Sequence, residues 1–232
     1  MNALDKYVNP DVVVLIPTLN EEEGLEPTVL EVRRYLGSPY ILVVDGNSTD
    51  GTVDVAKRLG LDVVFQDGKG KGDAIAKALR SLKADPRYVV FIDADFTYPA
   101  EYIPRMIRIL EENPDVGMVC GDRFGKPFSM ANVGSAYYIG NRFLAFVHFL
   151  LNGVGLRDPL TGLRVVRWEI IRDWQPKSKG FDVEVELNYF VERKGYKIRE
   201  IPIHYRKRLG EKKLKLRHGF TILSRILAEA LT

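Results

Sequence analysis

The segment Tyr88-Val-Val-Phe-Ile-Asp93-Ala-Asp95 decides both the fold that we predict and the place where we expect chemistry. Its first five residues are apolar or aromatic, which is typical of a strand buried on both faces in a parallel sheet. Ligands of open α/β sheets bind at the carboxyl ends of the strands, and this end carries two carboxylates. Alternate residues of an extended segment face the same way, so Asp93 and Asp95 can converge on one point.

Two carboxylates this close repel each other unless a cation lies between them. Mg²⁺ and Mn²⁺ are hard ions that also bind substrate phosphates, so we predict such an ion at Asp93 and Asp95. One alternative is a polar strand end in which a carboxylate only caps the next helix. Another is an aspartate-nucleophile phosphatase in which Asp93 attacks phosphate, although that signature normally follows the first strand and this one follows the fourth.

Outward from this segment, short apolar runs alternate with helical patterns through the first 120 residues. The runs occupy residues 12–16, 41–44, 63–65 and 116–120, and the helical patterns occupy residues 20–36, 52–59, 74–82 and 101–111. Asn20, with Glu23 three residues further on, predicts a capping box for the first helix, and Asp50 predicts a cap for the second. The alternation predicts an α/β fold with a doubly wound, mostly parallel sheet flanked by helices.

The pattern changes after residue 121, but no linker, repeat or low-complexity segment divides the chain, so we predict one domain over residues 1–232. Helices are predicted at residues 130–151 and 183–194, strands at residues 163–166 and 197–204, and a basic amphipathic C-terminal helix at about residues 216–231. Residues 1–120 hold 13 basic and 20 acidic residues, a net −7, and residues 121–232 hold 21 and 11, a net +10. We expect the two halves to meet different partners.

Composition excludes several classes of protein. A hydrophobic content of 46% is too high for a disordered chain, and the single Cys120 excludes an intramolecular disulfide. The three histidines are too scattered for a zinc cluster. No run reaches the roughly 18–20 apolar residues of a membrane span, and the N-terminus lacks the apolar core of a signal peptide. We therefore expect a cytoplasmic protein without a membrane span.

Three weaker features leave alternatives open. Asp45 ends a predicted strand and could accept hydrogen bonds from a nucleobase or ribose, or belong to a tight turn. Residues 68–72, with Lys69 and Lys71, suit an anion at a helix N-terminus, or form a solvated loop. Residues 206–217 carry seven basic residues before the amphipathic helix, a pattern typical of membrane-surface binding. Nucleic-acid binding, or a solvated loop before a docked helix, would fit that pattern as well.

Taken together, the motifs resemble those of a known family. The first half is similar to inverting family 2 glycosyltransferases with a GT-A fold, in the order Pro17-Thr-Leu-Asn20-Glu21, Asp45-Gly-Asn-Ser, Asp93-Ala-Asp95 and Gly121-Asp-Arg123. The second half resembles polyprenyl-phosphate sugar synthases, such as dolichyl-phosphate mannose and glucose synthases, through Gly140-Asn-Arg142-Phe, Asp158-Pro-Leu-Thr-Gly-Leu-Arg164, Gly180-Phe-Asp-Val-Glu184 and Tyr205-Arg206-Lys-Arg208. The resemblance covers about residues 11–218.

The resemblance implies a role for each matching residue. The nucleotide-sugar pocket would contain Pro17, Leu19, Glu21, Asp45, Lys71 and Asp93. The metal would be held by Asp93 and Asp95. The acceptor phosphate would be bound by Arg123, Arg142, Arg206, Arg208 and Lys213. The catalytic residues would be Asp95, Arg123 and Asp158, of which Asp158 matches a carboxylate proposed in relatives to assist the acceptor.

The implied reaction is metal-assisted, inverting transfer of a hexose from a GDP-mannose or UDP-glucose type of donor to a polyprenyl (dolichyl) phosphate. About residues 1–120 would hold metal and nucleotide, and about residues 121–218 the acceptor. About residues 216–232 would hold the enzyme at the cytoplasmic face of the membrane, and no nucleic acid is expected. Leu19 stands where many relatives have tyrosine, and Thr97 where mannose synthases often have a glutamine metal ligand, which leaves the donor open. A non-enzymatic membrane or nucleic-acid binding domain is the remaining alternative.

Overall fold

The computed structural model describes residues 9–82, 85–125 and 135–231. Its strands are β1 (Asn9–Thr18), β2 (Pro39–Asp45), β3 (Asp62–Phe65), β4 (Tyr88–Phe91), β5 (Val116–Asp122), β6 (Arg164–Arg167) and β7 (Lys197–Pro202). Its helices are α1 (Glu22–Leu36), α2 (Thr52–Arg58), α3 (Lys71–Ser81), α4 (Ile103–Glu112), α5 (Ser135–Asn152), α6 (Trp168–Ile171), α7 (Val183–Arg193) and α8 (His218–Glu229), and a 3₁₀ turn (Ala100–Tyr102) precedes α4. The first five residues of the helix predicted at 130–151 lie outside the described residues.

The described strands form one sheet in the order β3-β2-β1-β4-β6-β5-β7. Neighbouring strands pair in parallel except at β6, which is antiparallel to both β4 and β5. The predicted α/β fold with a mostly parallel sheet is therefore confirmed. Because β1 lies between β2 and β4 in parallel register, the loops that follow these three strands meet at one edge of the sheet.

Side chains of β1 alternate between two buried clusters, as the two-residue period of a strand requires. Val12, Val14 and Ile16 pack with α1 and α4 on one face, whereas Val13 and Leu15 pack with α3 and α7 on the other. Both faces of the sheet are thus covered by helices, which explains why the central strands read as continuous apolar runs rather than as alternating ones.

The capping box predicted at Asn20 is wrong. The N-cap position of α1 is Glu21, which makes no side-chain capping bond, and the Asn20 carboxamide instead accepts a hydrogen bond from Thr49 N at 2.8 Å. Asp50 accepts from Thr52 N at 3.0 Å and from Glu22 N at 3.2 Å. Asp50 thus bonds the first amide of α2, as predicted, and the loops after β1 and β2 also bond each other through Asn20–Thr49 and Glu22–Asp50.

The C-terminal helix is present, but the structure does not confirm its predicted basic character. The run of lysines and arginines ends where α8 begins, and Ile222 and Ile226 of α8 are buried against α5 and α7. Arg225 lies 3.4 Å from Asp182 and 3.5 Å from Glu229, so its charge is compensated. Within the described ranges, no helix combines the length and the apolar character needed to cross a bilayer.

Candidate active site

A cleft of about 720 Å³ opens at the edge of the sheet where β1 and β4 end. It is walled by the loops after these strands, by the first turns of α3 and α7, by α5 and by the basic segment, a name that we use for residues 206–217. Nine residues predicted from the sequence line it, namely Pro17, Leu19, Glu21, Lys71, Asp93, Asp95, Arg123, Arg208 and Lys213. Four others that were predicted do not line it, namely Asp45, Arg142, Asp158 and Arg206.

Asp93 and Asp95 follow β4 directly, and the structure brings them to the centre of the cleft. Thr97 fixes Asp95, because its amide and its hydroxyl donate to Asp95 Oδ1 at 3.1 and 2.6 Å. Burial and the nearby Asp93 raise the pKa of Asp95, opposed by Arg208. Gly162 makes room for this pair, since a Cβ there would lie 2.2 Å from Asp93 Oδ2.

Lys71, the first residue of α3, lies between two carboxylates. Its Nζ is 2.6 Å from Asp93 Oδ1 and 2.7 Å from Glu184 Oε1. Burial alone would lower the pKa of Lys71, but Asp93 and Glu184 outweigh it and hold the pKa well above its ordinary value. Lys71 is therefore a fixed positive charge beside the predicted metal site.

The glycine-rich loop before α3 is exposed at residues 68–70, but Gly70 and Gly72 pack closely against the main chain of residues 178–180. A Cβ on Gly70 would lie 2.3 Å from Lys179 O, and one on Gly72 would lie 2.1 Å from Ser178 O. Gly72 N donates to Lys179 O at 3.0 Å. These glycines let residues 178–180 approach closely, and the Gly72 amide, in the first turn of α3, already donates to the Lys179 carbonyl.

Arg208 of the basic segment lies between the carboxylates of Asp95 and Glu21 and donates to both. Lys213 Nζ lies 3.0 Å from Glu21 Oε1. Main-chain bonds hold the segment in place, because Leu209 N donates to Asp95 O at 3.1 Å and Arg206 N to Thr97 O at 2.9 Å. The basic segment thus compensates the charges of Asp95 and Glu21.

Glu21 is contacted by two cationic side chains of the basic segment, Arg208 and Lys213. Burial raises its pKa, although Arg208 and Lys213 act in the opposite direction. A carboxylate that is kept charged here depends on its two cationic neighbours, so removal of either one changes the electrostatics of the whole cleft.

Arg123 follows β5, which β6 separates from β4 in the sheet. Its side chain nevertheless lines the cleft. Its Nε and Nη2 each donate to Asp158 at 2.7 Å, and Asn141 Nδ2 donates to Asp158 Oδ1 at 2.8 Å. Asp158 is fully buried. Glu200 accepts hydrogen bonds from the amides of Arg157 and Asp158 and so holds this loop against β7. Asp158 therefore orients Arg123 in this structure and does not itself line the cleft.

The other predicted residues outside the cleft have clear partners. Arg206 pairs with Glu31 at 2.6 and 2.7 Å, and Arg142 is exposed and donates to Arg157 O at 3.2 Å. Asp45 is buried beneath the loop, where it accepts from Thr18 Oγ1 at 2.9 Å and from the Ser48 amide at 2.7 Å. These contacts place Asp45 in the tight turn after β2, outside the lining of the cleft.

Glu184, Asn141 and Lys212 are among the cleft residues that were not assigned to the site from the sequence. Glu184 and Asn141 belong to motifs that carry the family resemblance, but neither motif indicated which side chain faces a ligand. Lys212 lies over the Tyr137 ring at 3.2 Å from its centre. Burial, together with repulsion from Arg123 and Arg208, lowers the pKa of Lys212, which marks a region of positive potential in this part of the cleft.

A divalent metal fits Asp93 and Asp95 only with additional ligands. No group of three or more His, Cys, Asp or Glu side chains suited to a metal occurs among the described residues. Mg²⁺ and Mn²⁺ are commonly held by one or two carboxylates, with substrate phosphates and water completing the shell. The two aspartates match that donor set, in which a diphosphate supplies the remaining oxygens.

Comparison with known proteins identifies the family. The model of glycosyl transferase family 2 matches residues 13–173. The chain is 34% identical to a dolichyl-phosphate hexose transferase of Haloferax volcanii, over 91% of this chain and 90% of that protein. It is 35% identical to glycosyltransferase AglJ of the same organism, over 84% of this chain and 63% of AglJ.

Among solved structures, glucosyl-3-phosphoglycerate synthase of Mycobacterium tuberculosis in complex with UDP superposes with a TM-score of 0.75 at 22% identity, covering 94% of this chain and 79% of that one. The same enzyme was also solved with Mn²⁺, UDP-glucose and phosphoglyceric acid. The chain therefore belongs to glycosyl transferase family 2. It is a glycosyltransferase with a GT-A fold, which decides against the phosphatase and the non-enzymatic alternatives.

Proposed function

We propose that this glycosyltransferase moves a hexose from a nucleotide-sugar donor of the GDP-mannose or UDP-glucose type to a polyprenyl phosphate. The observation that carries the proposal is one cleft with two chemically different sides. Carboxylates follow β1 and β4 on one side, and Arg123 and Lys212 lie toward β5 and α5 on the other. The first side suits a metal-bound diphosphate, and the second suits a phosphate monoester.

The acceptor class is supported by the relatives together with the charge of the cleft. The dolichyl-phosphate hexose transferase of Haloferax volcanii aligns with nearly all of this chain. Lys212 adds positive charge beside Arg123 and Arg208, and repulsion from these two arginines, after burial, contributes to the lowered pKa of Lys212. A lipid phosphate would supply the missing negative charge.

Asp93 and Asp95 would hold the divalent ion, Mg²⁺ or Mn²⁺, on the donor diphosphate. When bound, the ion supplies neutralisation of the negative charge that develops on the departing nucleoside diphosphate. Lys71, fixed between Asp93 and Glu184, adds a second positive charge to that side of the cleft.

Displacement would form a bond between an acceptor phosphate oxygen and the anomeric carbon, while the bond from that carbon to the diphosphate breaks. A phosphate monoester is already anionic at neutral pH, so the reaction needs no general base to deprotonate it. Arg123 would position the acceptor, and Asp158 would hold the guanidinium in its orientation. A single displacement inverts the configuration of the anomeric carbon.

The acceptor is a lipid, so we also propose that the enzyme works at a membrane surface, on the cytoplasmic face. A row of exposed apolar side chains on α5 supports this, since Ile139, Phe143, Phe146 and Leu150 are each more than half exposed. Their spacing places them along one side of the helix. The basic segment, which contacts α5 through Lys212 and Tyr137, would lie near anionic headgroups.

A transfer assay tests the proposal. The full chain is incubated with Mn²⁺, dolichyl phosphate and labelled GDP-mannose, UDP-glucose or UDP-N-acetylglucosamine, and the organic phase is examined for glycolipid. We expect one donor to be used, a product of inverted anomeric configuration, and a loss of about 10²-fold or more in Asp95→Asn. Asp67→Asn, an exposed carboxylate outside the cleft, is the control. Absence of glycolipid with every donor, or a product of retained configuration, would contradict the proposal.

A further inference from the structure

Glu184, in the first turn of α7, is a buried carboxylate that lines the cleft. Its Oε1 accepts from Lys71 at 2.7 Å. Its Oε2 is buried and has no hydrogen-bond donor among the described residues. The residue as a whole is 6% exposed, and it lines the cleft.

A buried charged oxygen without a donor is costly, because it has lost water without gaining a hydrogen bond. Such an oxygen at the wall of a ligand cleft therefore indicates a ligand group that donates to it. A carboxylate only accepts hydrogen bonds, and it repels anions. The diphosphate and the acceptor phosphate are thereby excluded as partners of Glu184 Oε2, whereas a hydroxyl group suits it.

The position of Glu184 narrows the choice of hydroxyl. One ammonium group, that of Lys71, contacts both Asp93 and Glu184. If Asp93 holds the metal on the donor diphosphate, Lys71 links Glu184 directly to the carboxylate that holds this metal. The donor carries hydroxyl groups on both sides of the diphosphate, on the ribose and on the hexose. Leu19, Gly46 and Gln66 line the cleft after β1, β2 and β3 rather than beside α7, so we assign the nucleoside to their side and the hexose to the side of Glu184.

We infer that Glu184 is a specificity-determining residue that accepts a hydrogen bond from a hydroxyl of the transferred hexose. The inference rests on the proposed function and adds the residue that selects the sugar. A site that hydrogen-bonds a substrate hydroxyl rejects an analogue that lacks it, because the protein group is then left buried and unpaired. Hydrogen bonds to a charged group are among the strong ones.

Glu184→Gln tests the inference, since glutamine keeps the size of the side chain and removes its charge. We expect kcat/KM for the nucleotide hexose to fall about ten- to a hundredfold. Calorimetry should show the same fall in affinity for the intact donor with Mn²⁺ and no change for the nucleoside diphosphate alone. Glu186→Gln, a buried neighbour whose carboxylate accepts from the Lys177 and Ser178 amides outside the cleft, is the matched control for folding.

Monodeoxy analogues of the donor then identify the hydroxyl. The analogue that lacks the hydroxyl bound by Glu184 should lower kcat/KM of the wild-type enzyme as much as Glu184→Gln does with the intact donor. With that same analogue, Glu184→Gln should lower kcat/KM little further. Weaker binding of the nucleoside diphosphate itself would assign Glu184 to the ribose or to the charge of Lys71, and would overturn the inference. So would equal losses with every analogue. If the wild-type protein transfers no hexose from any donor, the proposed function fails first, and this inference fails with it.

Discussion

Replacing Arg208 by alanine removes the guanidinium that lies between Asp95 and Glu21. Loss of one partner of a buried ion pair costs about 3–5 kcal/mol. The Arg208 side chain is 21% exposed, so solvent screening reduces the expected loss of unfolding free energy to about 2 kcal/mol. For a chain of this size, that loss lowers Tm by about 4–8 °C.

The same substitution should make the cleft a better site for a free metal ion. In the wild-type protein Mn²⁺ has to displace the guanidinium from Asp95, whereas in Arg208→Ala it does not. A difference of about 2 kcal/mol corresponds to roughly a thirtyfold tighter affinity for Mn²⁺ without nucleotide. Calorimetry measures this affinity, and Mn²⁺ should restore much of the lost Tm in Arg208→Ala.

Arg206→Ala is the matched control, because Arg206 makes a similar ion pair with Glu31 outside the cleft. It should lower Tm without changing the affinity for Mn²⁺, and Mn²⁺ should not restore its stability. Equal Mn²⁺ affinities in the wild-type protein and in Arg208→Ala would refute the reasoning. Equal rescue of Arg206→Ala by Mn²⁺ would refute it too.

Three further changes test other parts of the structure. Asp158→Asn leaves the Arg123 guanidinium without its counterion, so KM for the lipid phosphate should rise about tenfold or more in steady-state assays, while KM for the donor changes little. Burial lowers the pKa of His148 to about 4, from an ordinary 6.5. The unfolded chain then binds more protons between these values, so stability falls as the pH drops, by about 2 kcal/mol from pH 7 to pH 5. Urea unfolding should show this fall in the wild-type protein and lose it in His148→Leu. Phe143→Ser should weaken flotation with anionic liposomes several-fold, whereas Phe65→Ser, which alters an exposed phenylalanine on β3, should not; equal effects would exclude α5 as the membrane contact.

Much of the fold could be predicted because it depends on local patterns. Residues 88–92 indicate a strand buried on both faces, and such strands need helices on both sides of the sheet. The carboxyl ends of parallel strands meet at one edge, so Asp93 could be placed at the site without coordinates. The antiparallel insertion of β6 between β4 and β5 could not be predicted, since its four residues, Arg-Val-Val-Arg, indicate neither the direction of the strand nor its neighbours in the sheet.

The site was harder to predict because its contacts are distant in sequence. Arg208 reaches Asp95 across 113 positions and Glu21 across 187. The charge of residues 206–217 suggested a membrane or phosphate partner, but not that Arg208 compensates carboxylates of the first half. Arg142 and Arg206 belong to the same motifs as true cleft residues, and only their packing shows that they face elsewhere. Burial of a single carboxylate oxygen on Glu184 has no signature in sequence at all.

The attachment of the basic segment to the loop after β4 has a consequence for how the two substrates bind. Leu209 N and Arg206 N donate hydrogen bonds to the carbonyls of Asp95 and Thr97. The basic segment and the loop after β4 therefore cannot move independently of each other. A donor that displaces Arg208 from Asp95 therefore alters the surface offered to the acceptor. By thermodynamic reciprocity, the acceptor must change the affinity for the donor by the same factor. Donor and acceptor binding should thus be coupled in equilibrium measurements even though their phosphates occupy different sides of the cleft.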